Sequence, residues 1–161
     1  MTKSEFYDAV VENYPPVEKM IGMIPADKLD WKPGPTFMSF GQVICHLSDG
    51  LGGGLEMLLS NKWPSMEEME EGMKLENLPS CSPKEALDKL EKDKGILRHA
   101  LNGVSEEDFA NKVVSVPWGW KAKVERMGVS FLQHFTNHKM QLFIYLKLLG
   151  LPVDPQTLYG T

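Results

Sequence analysis

The stretch Ser39-Phe40-Gly41-Gln42-Val43-Ile44-Cys45-His46-Leu47 opens a helix and sets its phase. Ser39 followed three residues on by Gln42 is a capping box: the serine oxygen accepts from the N–H of the third helical residue, and the glutamine side chain returns to the serine's own N–H. Helix two therefore starts near Phe40. Its apolar residues continue through Val43, Ile44, Leu47, Leu51, Leu55, Leu58 and Leu59, mostly three or four apart, the interval that gathers side chains on one helical face. Pro64 sets its outer limit. Gly52-Gly53-Gly54 inside the run costs about 1 kcal/mol per glycine relative to alanine, which points to a local kink or a close backbone approach compensated by packing.

Working outward, Phe6, Val10, Tyr14, Val17, Ile21 and Ile24 describe an earlier amphipathic helix begun near Ser4, which Pro15-Pro16 should kink or split. The proline-rich segment Pro25–Met38 is the loop between the two. Downstream, Asn61–Ser80 is too long to be a structureless connection in a compact domain. Within it, Ser65-Met66-Glu67-Glu68 and Gly72 predict a short acidic helix at 66–71 with a solvated face. Ser82-Pro83-Lys84-Glu85 opens helix three, which carries Leu87, Leu90, Leu97 and Leu101 and ends near Asn102-Gly103. Ser105-Glu106-Glu107-Asp108 opens one more short turn, and Val113–Val116 before Pro117-Trp118-Gly119-Trp120 reads as extended, with a small hairpin. Val124, Met127, Phe131, Phe135, Leu142, Tyr145 and Leu149 place helix four from about Lys123 to Leu149, closed by Gly150 and Pro152. The fold class is all-α: a four-helix bundle in a single domain spanning 1–161. The long crossover between helices two and three can carry the chain back along the bundle, so that those two helices run parallel.

Composition excludes several functions. The 161 residues carry 17 Lys+Arg against 22 Asp+Glu, a net charge of −5, which offers no global basic field for phosphates. Nucleic acid is not an expected partner. No run of eighteen apolar residues occurs, and the first residues hold acids where a secretory leader would be apolar, so neither membrane insertion nor export is expected. Two cysteines, Cys45 and Cys81, are too few for a disulfide framework, and the simplest setting is a reducing cytoplasm. Cys45 reads as a small packed side chain and Cys81 as an inert loop residue. Trp118 and Trp120 read as ordinary packing, with a pocket mouth or a dimer face as the other options.

The chemistry lies in the histidines: His46, His99, His134 and His138. His134 and His138 are four apart in helix four, one turn above the other on the same side. Their stripe coincides with part of the apolar stripe that includes Phe131, Leu142 and Tyr145, which places the pair inside the bundle. Buried imidazoles without partners cost about 1–3 kcal/mol per group, and a shared metal removes that cost. His46, three beyond Val43 on the inward side of helix two, supplies the third ligand. Three histidines with an open fourth position are the arrangement of a catalytic rather than a structural metal. Zn, Ni and Fe all suit such a set. His99 aligns with none of the others. Asp49, three after His46, is a candidate base or hydrogen-bond acceptor, and Tyr145 a candidate hydrogen-bond partner for substrate. Other motifs fail. The position after His134 is Phe135 rather than the glutamate of H-E-x-x-H, Gly50–Gly54 follows no strand as a dinucleotide turn would, and neither a phosphate loop nor a G-x-S-x-G elbow occurs.

Three segments together carry a resemblance: Leu29-Asp30-Trp31-Lys32-Pro33, then Ser39 to Leu47 with His46, then His134-Phe135-Thr136-Asn137-His138 followed by Gln141-Leu142. In this order and separation they resemble the DinB-like (YfiT-type) superfamily of metalloenzymes over almost the whole chain; the glycine run at Gly50–Gly54 departs from it. The resemblance implies an up-down-down-up four-helix bundle, a homodimer, and a divalent metal on His46, His134 and His138. It further implies an enzyme acting on a small-molecule substrate. Thiol S-transfer from a low-molecular-weight thiol to an electrophile comes first, metal-dependent hydrolysis second. A non-catalytic metal-binding bundle or dimerisation module is the alternative outside enzymology.

Overall fold

In the computed structural model, which describes residues 1–160, Ser or Thr side chains cap several of the helix starts. Helix α1 (Lys3–Val11) starts at Thr2, whose capping box with Glu5 is complete. Pro15 and Pro16 do not kink this helix but end it: α2 (Tyr14–Gly22) restarts with both prolines in its first turn, where their missing N–H groups leave no hydrogen bond unmade. Helix α3 (Phe40–Leu47) begins at Ser39, with both bonds of the Ser39–Gln42 box formed. The Gln42 amide also donates to the carbonyls of Leu75 at 2.8 Å and Leu78 at 3.2 Å, fastening the long crossover to α3.

The run after His46 is two helices rather than one, a correction to the sequence reading. Helix α3 stops at Leu47 and α4 (Leu51–Ser60) resumes after Ser48-Asp49-Gly50. The crossover contains α5 (Met66–Gly72), and α6 (Pro83–Asn102) and α7 (Glu106–Asn111) follow. Strands β1 (Val113–Ser115) and β2 (Lys121–Lys123) pair antiparallel, Val114 opposite Ala122. The chain continues as α8 (Val124–Leu148) and α9 (Pro155–Tyr159). The last helix is absent from the sequence reading, although Asp154 as N-cap and Pro155 at its first position are its signal.

Contacts along the rods give the topology. From α3 through α4, Asp49 meets Lys89 and Gly52 meets Asp93 of α6, so partner numbers rise together and the two rods run parallel. Against α8, His46 meets His134 while Gly54 meets Phe131, which is antiparallel. Phe6 packs on Gly128 and Asn13 bonds Lys139, so α1–α2 runs parallel to α8. This is the up-down-down-up bundle. Its core is a single cluster that includes Phe6, Ile21, Phe40, Ile44, Leu55, Leu90, Leu97, Met127 and Leu142. Among the described residues no helix is long and apolar enough to cross a membrane.

The glycine run has a physical reason. Asp93 of α6 is only 2% exposed, and its carboxylate accepts from the N–H of Gly52 at 2.8 Å and of Gly53 at 2.9 Å. It therefore caps α4 from a neighbouring helix, a service that Gly50 at the N-cap position cannot give. Burial raises the Asp93 pKa, and the bonds from Gly52 and Gly53 oppose that shift. A Cβ on Gly52 would strike the Asp93 carbonyl and stand 2.7 Å from the Leu97 nitrogen, both backbone atoms of α6.

Cys45 of α3 and Cys81, just before α6, are joined as a disulfide with their Cα atoms 5.0 Å apart. This corrects the reading of two separate thiols and removes the cysteine argument for a reducing compartment.

Gly52→Ala should lower stability by about 1–3 kcal/mol, because the obstructing atoms are backbone and α4 must move off α6. Gly95→Ala in the interior of α6, where a Cβ meets nothing within 4 Å, should instead raise it by about 0.5–1 kcal/mol. Urea midpoints of the two variants check both signs.

Candidate metal centre

Helices α3 and α8 cross antiparallel, with His46 in the last turn of α3 and His134 and His138 stacked in the middle of α8. One ring nitrogen from each lies within 4.8 Å of the other two. The ring centroids are 5.0 Å apart for His46 and His134, and 4.5 Å for each pair with His138, every pair edge to face. Nε2 of His46 is 2.7 Å from Nε2 of His134, a distance at which one nitrogen donates to the other.

The three rings converge at an open edge of the bundle, not in its interior. The buried face of α8 passes through Phe135, Lys139, Leu142 and Leu146. His134 precedes Phe135 by one position, a rotation of about 100°, and is exposed; His138 and His46 lie half-buried at the border. The expectation of a buried pair fails by that rotation. The difference matters chemically, because an exposed edge leaves the three nitrogens reachable by a molecule from solvent.

A hydrogen-bonded chain sets the orientation of His138. The Met38 carbonyl can only accept, so the Tyr145 hydroxyl, 3.0 Å away, donates to it. The Tyr145 oxygen then accepts from the Gln141 amide nitrogen at 3.0 Å, which turns the Gln141 carbonyl oxygen toward His138. That oxygen is 2.7 Å from His138 Nδ1 and can only accept. Nδ1 therefore carries the proton, and in the neutral ring Nε2 presents its lone pair. Burial raises the Tyr145 pKa and keeps the hydroxyl protonated for this role. The chain's far end is held by an aromatic triangle, with centroids 5.3 Å apart for Trp31–Phe40, 5.6 Å for Trp31–Tyr145 and 5.5 Å for Phe40–Tyr145.

The other candidate residues are placed elsewhere. Tyr145 is buried with its hydroxyl engaged, so it acts through Gln141 and does not face a substrate. Asp49 is exposed and paired with Lys89 at 2.9 Å, contributing no oxygen to the cluster. His99 is exposed on α6, beside a separate cavity with Glu56 and Asp108. Sequence reasoning missed Gln141 as an orienting group; its signal is the spacing of three from His138 and four to Tyr145, which stacks all three on one side of α8.

Electrostatics favour the neutral form of His46 and His134. Lost hydration, then the His138 and His46 rings, bring the His134 pKa down to about 4. Lost hydration and His138 also lower His46, against a small opposing pull from Asp49. Neutral nitrogen donors on three sides and an open fourth suit a divalent cation. Two nitrogens on one tetrahedral ion with bonds of 2.0–2.1 Å stand about 3.3 Å apart, so His46 and His134, now at 2.7 Å, need to part only slightly.

A sequence profile described as the DinB superfamily matches residues 13–142. No curated protein sequence matches the chain. Among solved structures, a protein assigned to the DinB family from Exiguobacterium sibiricum is similar with a TM-score of 0.72 at 19% identity, covering 96% of each chain. A DinB-like protein from Bacillus cereus gives 0.72 at 16% identity over 95% of this chain and 96% of that one. One from Bacillus subtilis gives 0.66 at 17% over 94% and 96%. At these identities the structures speak to the fold.

Gln141→Leu should weaken divalent-cation binding by roughly 10–100-fold, less than His138→Ala, as read by competition against a chromophoric chelator. The metal-free protein should also lose stability in acid. His134 has a lowered folded-state value of about 4 against 6.5 for the free side chain, so as pH falls from about 6.5 to 4 the unfolded chain takes up a proton that the folded chain refuses. Thermal midpoints across that window should fall less steeply for His134→Gln than for the parent.

Proposed function

The chain belongs to the DinB superfamily, and from that premise we propose that it is a divalent-metal-dependent enzyme transferring a thiol sulfur to a small electrophilic substrate. The observation that carries the reading is the composition of the centre: three imidazole nitrogens at an open edge, with no carboxylate joining them among the described residues. His46, His134 and His138 would hold the cation, and its Lewis acidity would make a thiol or a water nucleophilic at neutral pH.

The chain's own residues do the rest. His138 is oriented by Gln141, and Gln141 by Tyr145, so one donor direction is set before anything binds. His46 and His134 meet across α3 and α8, and the exposure of His134 leaves the approach open from solvent. Asp49 is neutralised by Lys89, and Tyr145 is committed to the Met38 carbonyl. Neither places an oxygen in the imidazole cluster. That absence of a poised base favours a co-substrate that brings an acidic nucleophile with it, and a thiol is more acidic than water by several units. Hydrolysis is the weaker reading for the same reason.

Metal-loaded protein should consume a low-molecular-weight thiol in the presence of a chlorinated nitroarene and leave esters and amides intact. His46→Ala should lose both the bound cation and this activity. Hydrolysis of an ester or amide instead would make the protein a hydrolase. Silence with every substrate, with the cation still bound, would reduce it to a metal-binding bundle. Unchanged cation content in His46→Ala would remove His46 from the centre.

A further inference from the structure

On the side of α3 turned toward α6, a second reactive arrangement stands apart from the imidazoles. Cys45 and Cys81 come from segments 36 residues apart, and their sulfurs are bonded. The pair lines a surface cavity of about 390 Å³ together with Pro79, Ser80, Glu85 and Lys89. The two sulfurs are not equivalent. Cys45 lies inside α3 and is 1% exposed, whereas Cys81 lies in the segment leading into α6 and is 6% exposed. The Lys89 ammonium reaches both ends of the neighbourhood, 3.6 Å from Cys45 Sγ and 2.9 Å from an Asp49 oxygen. A positive charge at that distance is of use to a sulfur that leaves as an anion.

We propose that Cys45 and Cys81 form a reversible thiol–disulfide centre that exchanges with a low-molecular-weight thiol. The incoming thiolate attacks Cys81 Sγ, on the less deeply buried residue of the pair, and a new sulfur–sulfur bond forms there. The Cys45–Cys81 bond breaks, and its electron pair stays on Cys45 Sγ beside the Lys89 ammonium. A second thiolate attacks the outer sulfur of the mixed disulfide and releases Cys81. Two small thiols are oxidised to their disulfide, the protein disulfide is reduced, and the two protons of the small thiols pass to Cys45 and Cys81. The exchange requires neither a cation at the histidines nor an electrophilic substrate, so it stands or falls separately from the transferase reading.

The test uses the full chain freed of metal by a chelator. Protein purified in air and unfolded in excess alkylating reagent should show neither cysteine modified by intact mass; modification of both would overturn the proposal at once. Native protein mixed with reduced glutathione should open its disulfide without denaturant. Lys89→Met should slow that opening about fivefold, the worth of one nearby charge in a hydrated setting, while Lys92→Met on the same helix leaves it unchanged. A disulfide that stays closed until denaturant is added, or a Lys89→Met rate equal to the parent's, would show a structural crosslink only and overturn the proposal. An arm that does not depend on Lys89 uses the single-cysteine variants. With oxidised glutathione, Cys45→Ser should accept the adduct on Cys81 faster than Cys81→Ser accepts it on Cys45, and the reverse order would overturn the assignment of the attacked sulfur.

Discussion

The triangle of Trp31, Phe40 and Tyr145 governs the relation between α3 and α8, and the imidazole centre depends on that relation. Each corner comes from a different part of the chain: the loop after α2, the first turn of α3 and the last third of α8. Aromatic contacts of this kind are directional as well as apolar, so they set the rotation of a helix and not only its distance. Phe40 is the first residue of the helix that carries His46 in its last turn, and Tyr145 is seven beyond His138 on the same side of α8. One contact therefore sets the height of both ligand-bearing helices. The backbone of the same loop reinforces it, since Phe40 N–H donates to the Trp31 carbonyl at 3.0 Å and Gly41 N–H to that of Leu29 at 2.9 Å.

A second constraint acts from α6. Asp93 supplies the cap that lets α4 begin at all after a run poor in helix propensity, and Gly52 lets the two backbones approach closely enough for that bond. The break at Ser48-Asp49-Gly50 is the consequence. It places His46 one residue before the end of a short helix rather than mid-way along a long one. Asp49, in that break, pairs with Lys89. No carboxylate oxygen joins the imidazole cluster, and Asp49 acts on His46 only through its opposing pull on the ring's pKa.

Much of this was legible in the residues themselves. Capping boxes at Ser39, Ser65 and Ser82 placed three helix starts to the residue, because the capping bond is local and its partners lie three apart. The meeting of His46, His134 and His138 was legible from helical spacing together with the family resemblance. Its depth was not. Spacing places His134 near the apolar stripe but cannot distinguish the centre of the stripe from its border, and one residue of rotation separates buried Phe135 from exposed His134. The break in the second rod, the disulfide and the Tyr145–Gln141–His138 chain share a different cause. Each is made by residues from distant segments, or by the competition of Asp93 against an intrahelical bond, and no local pattern encodes such a pairing.

The charge at the centre runs against the charge of the chain. The protein as a whole is acidic, with a net charge of −5, yet Asp49 between α3 and α4 is matched by Lys89, and His46 and His134 are shifted toward their neutral forms. A divalent cation held by three neutral nitrogens keeps its full double charge, whereas each carboxylate ligand would cancel half of it. A centre so loaded would favour an anion arriving from solvent through the exposed edge at His134. The acidic exterior opposes the approach of highly charged anions within the screening length of about 8–10 Å. Both conditions are met by a small molecule that is neutral in solution and becomes anionic by losing one proton at the centre. A thiol has that property, which is why the proposed reaction takes one as its co-substrate.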